Sequence, residues 1–455
     1  MKCIEDEIPF EVPEGWEWTR LKSISYIGTG ATPLKSHKAY YNNGNVAWIT
    51  SAATAEPYIS KPTSYITELA LVETNCTVYQ PGTLVIAMYG EGKTRGQISE
   101  LQISAATNQA CAAVSLIDKS TSLRSYIKCF FIHSYEELRS KAKGGQQPNL
   151  NQTIIADMLV PIPPSSELYG IMGIVDKALG CINIISAARQ MIQNNAEKIK
   201  QHILSLAIRG QLVPQNLGDE PASELLNRIR AEKEVLIQQG KIKRDKRESI
   251  IFRSDDNSYY ERFKDGTVIC VDKEVLFDLP DGWAWERLSN IAWFSGGKTP
   301  SMSHAEYWNG NVPWITSKDM KTKYITTSIV KMTEEGAATQ QLYTSGTVLV
   351  VARSGILRHT LPVAILNTKA TINQDIKAIE LVDKSLTEYI YICLKALERN
   401  ILLKFTKAGT TVENINFDEF VRIMLPIPPS EEIHRIIDRL SQTDRLIDSI
   451  NDYIM

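Results

Sequence analysis

Two short stretches, Gly92-Lys93-Thr94 and Gly297-Lys298-Thr299, carry residue types that a phosphate cradle uses. A backbone nest for phosphate needs an earlier glycine, in Gly-x-x-x-x-Gly-Lys-Ser/Thr, and Ala87 and Ala292 stand there instead. Nucleotide hydrolysis at Gly92-Lys93-Thr94 is therefore the weaker, rival reading. Lys93, Thr94 and Arg95, and likewise Arg353, Ser354, Arg358 and His359, fall in glycine-containing loops that follow apolar strands. Lysine and arginine in such loops suit phosphate oxygens and guanine edges, so DNA contact is one reading and a solvated charged loop the other. A second polar set comprises Lys143, Gln146 and Gln147, with Lys407, Thr410 and Thr411 in the other half of the chain. Glutamine can bond adenine through two atoms. A third set lies at and just after a Thr-Pro turn: Lys35, His37 and Lys38, then Lys298, Ser301 and His304. A histidine at a repeated offset suits DNA contact, and a local hydrogen bond accounts for it equally well.

Nothing in the chain suggests bond-breaking chemistry. The six histidines show no metal spacing, the seven cysteines form no CxxC pair, and no Asn-Pro-Pro-Tyr, HExxH or Walker motif occurs. The expectation is binding without catalytic residues, metal or cofactor.

The elements that position these residues come in two copies. Pro13-Glu14-Gly15-Trp16-Glu17-Trp18 returns as Pro280-Asp281-Gly282-Trp283-Ala284-Trp285. Gly30-Ala31-Thr32-Pro33 returns as Gly297-Lys298-Thr299-Pro300, and Asn45-Val46-Ala47-Trp48-Ile49-Thr50 as Asn311-Val312-Pro313-Trp314-Ile315-Thr316. Asn108-Gln109 and Asn373-Gln374 also match. A period this long means duplicated domains, not a solenoid. Residues repeated across both copies, the tryptophans and the Asn-Gln pairs among them, are expected to be scaffold. Residues 46–50 and 83–87 read as buried strands and residues 123–141 as helical.

Each copy ends in Pro-x-Pro-Pro and a helix. After Pro163-Pro164, apolar residues hold a heptad spacing on two seams. Leu168, Val175, Ile182, Ala196 and Ile203 form one, broken only by Arg189, and Ile171, Ala178, Ile185, Ile192, Ile199 and Leu206 form the other. After Pro428-Pro429, Ile433, Leu440, Ile447 and Ile454 repeat the pattern with Ile436 and Ile450, over about half the length. The two helices are expected to pair antiparallel, with residues 433–455 matched to residues 168–194. Ile199, Ile203 and Leu206 would then need another cover, such as the helix expected at residues 222–239, or one that a truncated chain lacks.

Between the copies, Ala207-Ile208-Arg209-Gly210 reads as a helix end with a glycine stop, and Pro221 precedes a second helix. The basic run Lys241 to Arg247 reads as a solvated helix end, with contact to DNA backbone as an alternative, and Ser254 to Ser258 reads as a mobile linker. At 455 residues and a formal net charge of -2, the chain has room for two or three cores, and any DNA contact must come from local patches. No apolar run approaches the roughly 18 residues of a membrane span, and no signal peptide opens the chain. With scattered cysteines, this points to the cytoplasm and to no membrane partner.

Over essentially its whole length the sequence resembles the specificity (S, HsdS) subunits of type I restriction-modification enzymes. The resemblance rests on the Pro-x-Pro-Pro helix starts, the Gly-x-Thr-Pro turns and a central block. That block runs from Ala207-Ile208-Arg209-Gly210-Gln211-Leu212-Val213-Pro214 through Asp219-Glu220-Pro221-Ala222-Ser223-Glu224-Leu225-Leu226. It implies an α+β chain of two tandem α/β target recognition domains, separated by long antiparallel coiled-coil helices with pseudo-two-fold symmetry. The expected divisions are 1–164 and 251–429 for the recognition domains, 165–250 for the central helices and 430–455 for the C-terminal helix. It further implies a non-catalytic subunit that reads a bipartite site on double-stranded DNA, one half per domain, with a bipartite DNA-binding scaffold of another system as the alternative. Two methyltransferase (M) subunits and restriction (R) motor-nuclease subunits are the implied protein partners, and contact with a methyltransferase is a further alternative for the run Lys241 to Arg247. The shorter second helix departs from the family pattern of two spacer helices of similar length.

Overall fold

The structure is a computed structural model that describes residues 5–90, 93–142, 149–301, 303–407 and 412–454. The chain divides into two compact units, Met1–Ser186 and Ala187–Met455. It is α+β throughout, with two tandem copies of one domain plan.

In the first unit, Glu17–Arg20 pairs antiparallel with Leu159–Ile162, setting Trp18 opposite Pro161. A five-stranded sheet follows in the order Ser25–Thr29, Cys111–Leu116, Leu84–Ala87, Ile98–Leu101, Tyr58–Ile59. All four residues of Leu84–Ala87 are buried, as expected of a central strand covered on both faces. One face carries the helix Thr121–His133, whose Leu123, Ile127 and Phe131 join Leu84, Ile86 and Val114 in one core. The helical reading of residues 123–141 resolves into two helices, Thr121–His133 and Tyr135–Ser140, separated at Ser134.

The second unit repeats this plan. Ala284–Arg287 pairs with Met424–Ile427, Trp285 facing Pro426. The five-stranded sheet runs Ala292–Gly296, Ile376–Leu381, Val348–Val351, Val363–Leu366, Tyr324–Ile325. Its helices are Thr387–Ala396 and Glu398–Phe405. Two side-chain links recur at matching places. Trp16 Nε1 donates to Glu167 at 2.9 Å, and Trp283 Nε1 to Glu432 at 2.9 Å, tying each opening strand to its helix start. Tyr126 and Tyr389 donate to the carbonyls of Pro161 and Pro426. Trp48, Trp283, Trp285 and Trp314 are buried, whereas Trp16 and Trp18 are only half-buried.

The long helix, Ser165–Ile208, has 44 residues. Its start is rooted in the first unit by Leu168 and Met172, with Val175 packed against the same core. Its end is rooted in the second unit, where Leu204, Ala207 and Ile208 share a core with Ala222, Leu225, Leu226 and Ile229 of the helix Ala222–Gln238. Gly210 follows at φ +67°, the left-handed stop that a glycine takes without strain.

The C-terminal helix, Ser430–Ile454, overturns the expected register. Ile433, Ile436 and Leu440 enter the core that holds Leu204 and Ile208, and Lys200 pairs with Asp444 at 3.3 Å. It therefore lies antiparallel to the distal half of the long helix, not against residues 168–194. Both helices are anchored in the second unit's core, one by its end and one by its start, so antiparallel pairing begins there. The proximal stretch is left open, with Ile174, Ile182 and Ile185 71%, 56% and 66% exposed, and in the distal half Ile203 is packed against the core while Ile199 stays 52% exposed. The run-length reading of hydropathy is also corrected. An 18-residue window of this helix has mean hydropathy 1.5, long and apolar enough to cross a membrane, and only 6% of it is buried. Isolated polar residues had broken the run.

The inter-domain segment is more ordered in its connections than its composition suggested. Ser249–Arg253, Tyr259–Phe263 and Val268–Cys270 form a three-stranded antiparallel sheet. Ser254 to Ser258, read as a linker, is the tight hairpin turn between the first two, with Asn257 at φ 66°. Arg287 fastens this sheet to the domain, donating to Glu261 at 2.7 Å and to Glu274 at 3.0 Å. Glu261 also accepts from Ser249 at 2.5 Å and Arg422 at 2.6 Å. Burial opposes its ionisation, but these donors win and hold its carboxyl below the usual range. In the basic run, Arg244 pairs with Glu234 and Glu248, and Arg247 donates to the Asp418 carbonyl.

Candidate nucleic-acid interface

In each unit the segment that leaves the central strand is met by a second one far away in sequence. The first unit joins them through Leu150 N, which donates to Met88 O at 3.1 Å. The second does so through Ile415 N, which donates to Ala352 O at 2.8 Å. In the second unit the junction extends into a small sheet ordered Arg353–Ser354, Glu413–Ile415, Thr406–Lys407. Asn414 stands opposite Arg353 on one side and opposite Lys407 on the other. Two exposed cations separated by more than fifty residues of chain thus lie across three neighbouring strands, about 4.8 Å apart per step. Backbone pairing holds them, so neither cation spends its charge on the scaffold through that register.

Arg358 is engaged differently. Its Nε donates to Glu413 at 2.7 Å, and with His359 it lines a cleft of about 1020 Å³. Glu197, Asp444 and Asp448 share that lining with Lys323 and Arg399, so the cleft is of mixed sign and does not make a uniform anion track. Ser354 caps the following turn through Ile356 N.

In the first unit, Lys93 is exposed and lines a hollow of about 590 Å³, while Thr94 and Arg95 are half-buried. The loop is held from behind: Tyr135 Oη donates to Lys93 O at 2.5 Å and Arg139 Nη1 to Arg95 O at 2.8 Å. Of the second polar set only Lys407 can be placed. Lys143, Gln146, Gln147, Thr410 and Thr411 lie outside the described residues, as does Gly92.

The turn set is built around close approach. A Cβ on Gly30 would lie 1.6 Å from Thr107 O, and one on Gly297 2.0 Å from Ile372 O, so only glycine fits. Thr32 donates to Gln109 at 2.6 Å and Thr299 to Gln374, which makes the Asn-Gln pairs scaffold and occupies the threonine that a phosphate loop would need free. Lys35, His37, Lys38, Lys298, Ser301 and His304 are exposed. Each histidine packs on a tyrosine three residues on, His37 on Tyr40 and His304 on Tyr307, and His304 Nδ1 meets Glu306 at 2.7 Å. That is the local satisfaction weighed above.

Sequence reasoning missed Tyr135, Arg139, Asn414, Glu413 and Glu398. The repeat held one usable signal. Tyr126 and Tyr389 match, and counting on by nine residues from each reaches Tyr135 and Glu398, the first residues of equivalent helices.

The family described as "Type I restriction modification DNA specificity domain" matches residues 13–194 and 280–454, well over half of the chain. The chain belongs to this family. Among curated relatives, the type I restriction enzyme EcoR124I/EcoR124II specificity subunit of Escherichia coli is 34% identical over 184 residues, 40% of this chain and 46% of that one. The EcoAI specificity subunit of Escherichia coli is 25% identical over 342 residues, covering 64% of this chain and 54% of the relative. The chain thus spans about half the length of the curated relatives it matches. Two solved structures share the fold. A chain from work described as "complex assembly and conformational transition of the type I R-M system" aligns at TM-score 0.64 and 17% identity, over 98% of this chain and 94% of that one. The HsdS subunit from Thermoanaerobacter tengcongensis aligns at TM-score 0.50 and 16% identity, over 99% and 94%.

Proposed function

We propose that this specificity-family chain is the non-catalytic DNA-reading subunit of a type I restriction-modification enzyme, and that it reads a bipartite site with one domain per half. The single observation that carries the reading is the alignment of Arg353, Asn414 and Lys407 across adjacent strands, next to a loop whose sequence differs between the two units. A repeated scaffold with divergent polar loops is what two separate recognition tasks require. Short strands bearing arginine, lysine and asparagine can enter a groove and meet phosphates and base edges.

The recognition domains are assigned to residues 1–164 and 251–429, and the helices of 165–250 and 430–455 to spacing and docking. At ~1.5 Å per residue the long helix measures roughly 66 Å, against roughly 34 Å for a turn of B-DNA. It can act as a ruler between half-sites. Its open proximal seam continues the heptads that protein already covers distally, which favours partner helices over lipid. Two methyltransferase subunits are the assigned partners, with restriction motor-nuclease subunits joining that core in the cytoplasm.

The test is to co-express the full chain with its neighbouring methyltransferase and sequence the modified sites. Two specified blocks separated by a constant gap are expected. Uniform modification, or a single uninterrupted block, would overturn the proposal.

A further inference from the structure

The two recognition loops are held from behind by the same position of the fold but with opposite chemistry. In the first unit that position is Tyr135, which opens the helix Tyr135–Ser140 after the break at Ser134. It donates its hydroxyl proton to Lys93 O at 2.5 Å. One turn on, Arg139 donates to Arg95 O at 2.8 Å and to the Tyr135 hydroxyl at 3.0 Å, with its guanidinium 5.1 Å from the Tyr135 ring centre. The two side chains therefore grip successive parts of one loop as a unit. Gly96 closes that loop at φ +88°, and a Cβ there would come within 3.2 Å of Arg139 Cγ and 3.5 Å of Tyr135. The loop is fitted to this pair sterically as well as by hydrogen bonds.

In the second unit the position is Glu398, which opens Glu398–Phe405 after the break at Leu397. It accepts instead of donating: Thr360 Oγ1 bonds its carboxylate at 2.5 Å and Leu361 N at 2.7 Å. Lys395 balances its charge. Burial would raise this carboxyl, but the three donors outweigh it and hold it below the usual range, so it stays an acceptor near neutrality. The segment it grips follows Arg358 and His359 directly. Donors to carbonyls in one copy and an acceptor of N–H and O–H in the other cannot substitute for each other.

We propose that Tyr135 and Arg139 are positioning residues for the half-site read by residues 88–96, and Glu398 for the half-site read by residues 352–361. This rests on the DNA-reading role given to those loops. None of the three needs to touch DNA. Each sets the loop backbone from which Lys93, Arg95 or Arg358 projects.

The test uses the full chain assembled with its methyltransferase, with methylated sites sequenced for Tyr135→Phe, Arg139→Lys, the double variant and Glu398→Ala. The double variant is expected to raise modification of sites altered in one half by about three- to tenfold, as loss of one or two hydrogen bonds allows, and to leave the other half unchanged. Glu398→Ala, which removes the acceptor of both bonds, is expected to relax the opposite half alone. Melting temperature separates positioning from folding: a merely structural role would lower stability and total modification without altering either half's base preference. Should the double variant not fold, Tyr135→Phe, which removes one oxygen, carries the test. Relaxation of both halves together, or of neither, overturns the inference. Exchange of residues 88–96 for another family member's loop is the control. If it alters one half-site while the positioning variants alter nothing, only this inference fails. If it alters nothing, the DNA-reading assignment fails with it.

Discussion

At the scale of single residues, charge that is spent inside the fold can be told from charge that is left to offer. Arg287 is spent: its guanidinium is 3% exposed between Glu261 and Glu274. Arg287→Ala would leave Glu261 buried without its main cation and is expected to cost about 3–5 kcal/mol in chemical denaturation of the second unit. Glu261 and Glu274 both sit below the usual carboxylate range, Glu261 through Arg287 and Ser249 against the opposing effect of burial, and Glu274 chiefly through its bond from Arg287. A depressed carboxylate contributes stability above its unfolded pKa of about 4.3, and that contribution is lost as pH falls through the lower, folded value. The second unit should therefore lose stability steeply below about pH 4, and Glu261→Gln should be weaker at neutral pH with a shallower acid slope. Arg353 and Lys407 are the charges on offer. Replacing either by alanine should leave melting unchanged and reduce the salt dependence of DNA binding by about one counterion. A salt slope equal to that of the unsubstituted chain would remove them from the interface.

At the scale of elements, the two halves of the long helix obey one sequence pattern and meet different fates. The distal half packs with Leu440 of the C-terminal helix, which is 8% exposed, while Ile185 of the proximal half is 66% exposed. Leu440→Ala is expected to destabilise the second unit by about 2–5 kcal/mol. Ile185→Glu should change stability by no more than about 0.5 kcal/mol. If the proximal seam receives partner helices, the same Ile185→Glu change should reduce the methyltransferase that co-purifies with the chain. A large loss of stability from Ile185→Glu would show instead that the seam is covered within the chain. The sheet of residues 249–270 is a further element with no counterpart among the described residues of the first unit, and Glu261 adds a polar anchor to the apolar contact that Ile251 and Tyr259 make with Trp285 and Met424.

For the whole molecule, the duplication makes independence testable. A chimera carrying residues 1–164 of another family member should acquire that member's preference in one half-site and keep its own in the other. Methylation mapping of the chimera decides it, and a change in both halves would show that the domains do not read separately. The paired links of Trp16 to Glu167 and Trp283 to Glu432 explain why such an exchange is physically reasonable. Each domain closes on the start of the helix that follows it.

The sequence by itself determined the duplication, the strand and helix identities around it, the glycine turns and the scaffold role of the repeated residues. These follow from local geometry: Gly30 and Gly297 admit no Cβ, and period and turn chemistry are written residue by residue. Only the tertiary structure decided which half of the long helix the C-terminal helix covers, because a heptad seam specifies a face and not a partner. It alone put Arg353 and Lys407 on either side of Asn414, since strand register across more than fifty residues depends on Asn414 pairing with both. It alone turned the polar residues 254–258 into a hairpin, where a left-handed Asn257 and two flanking strands outweigh a composition that suits a linker equally well.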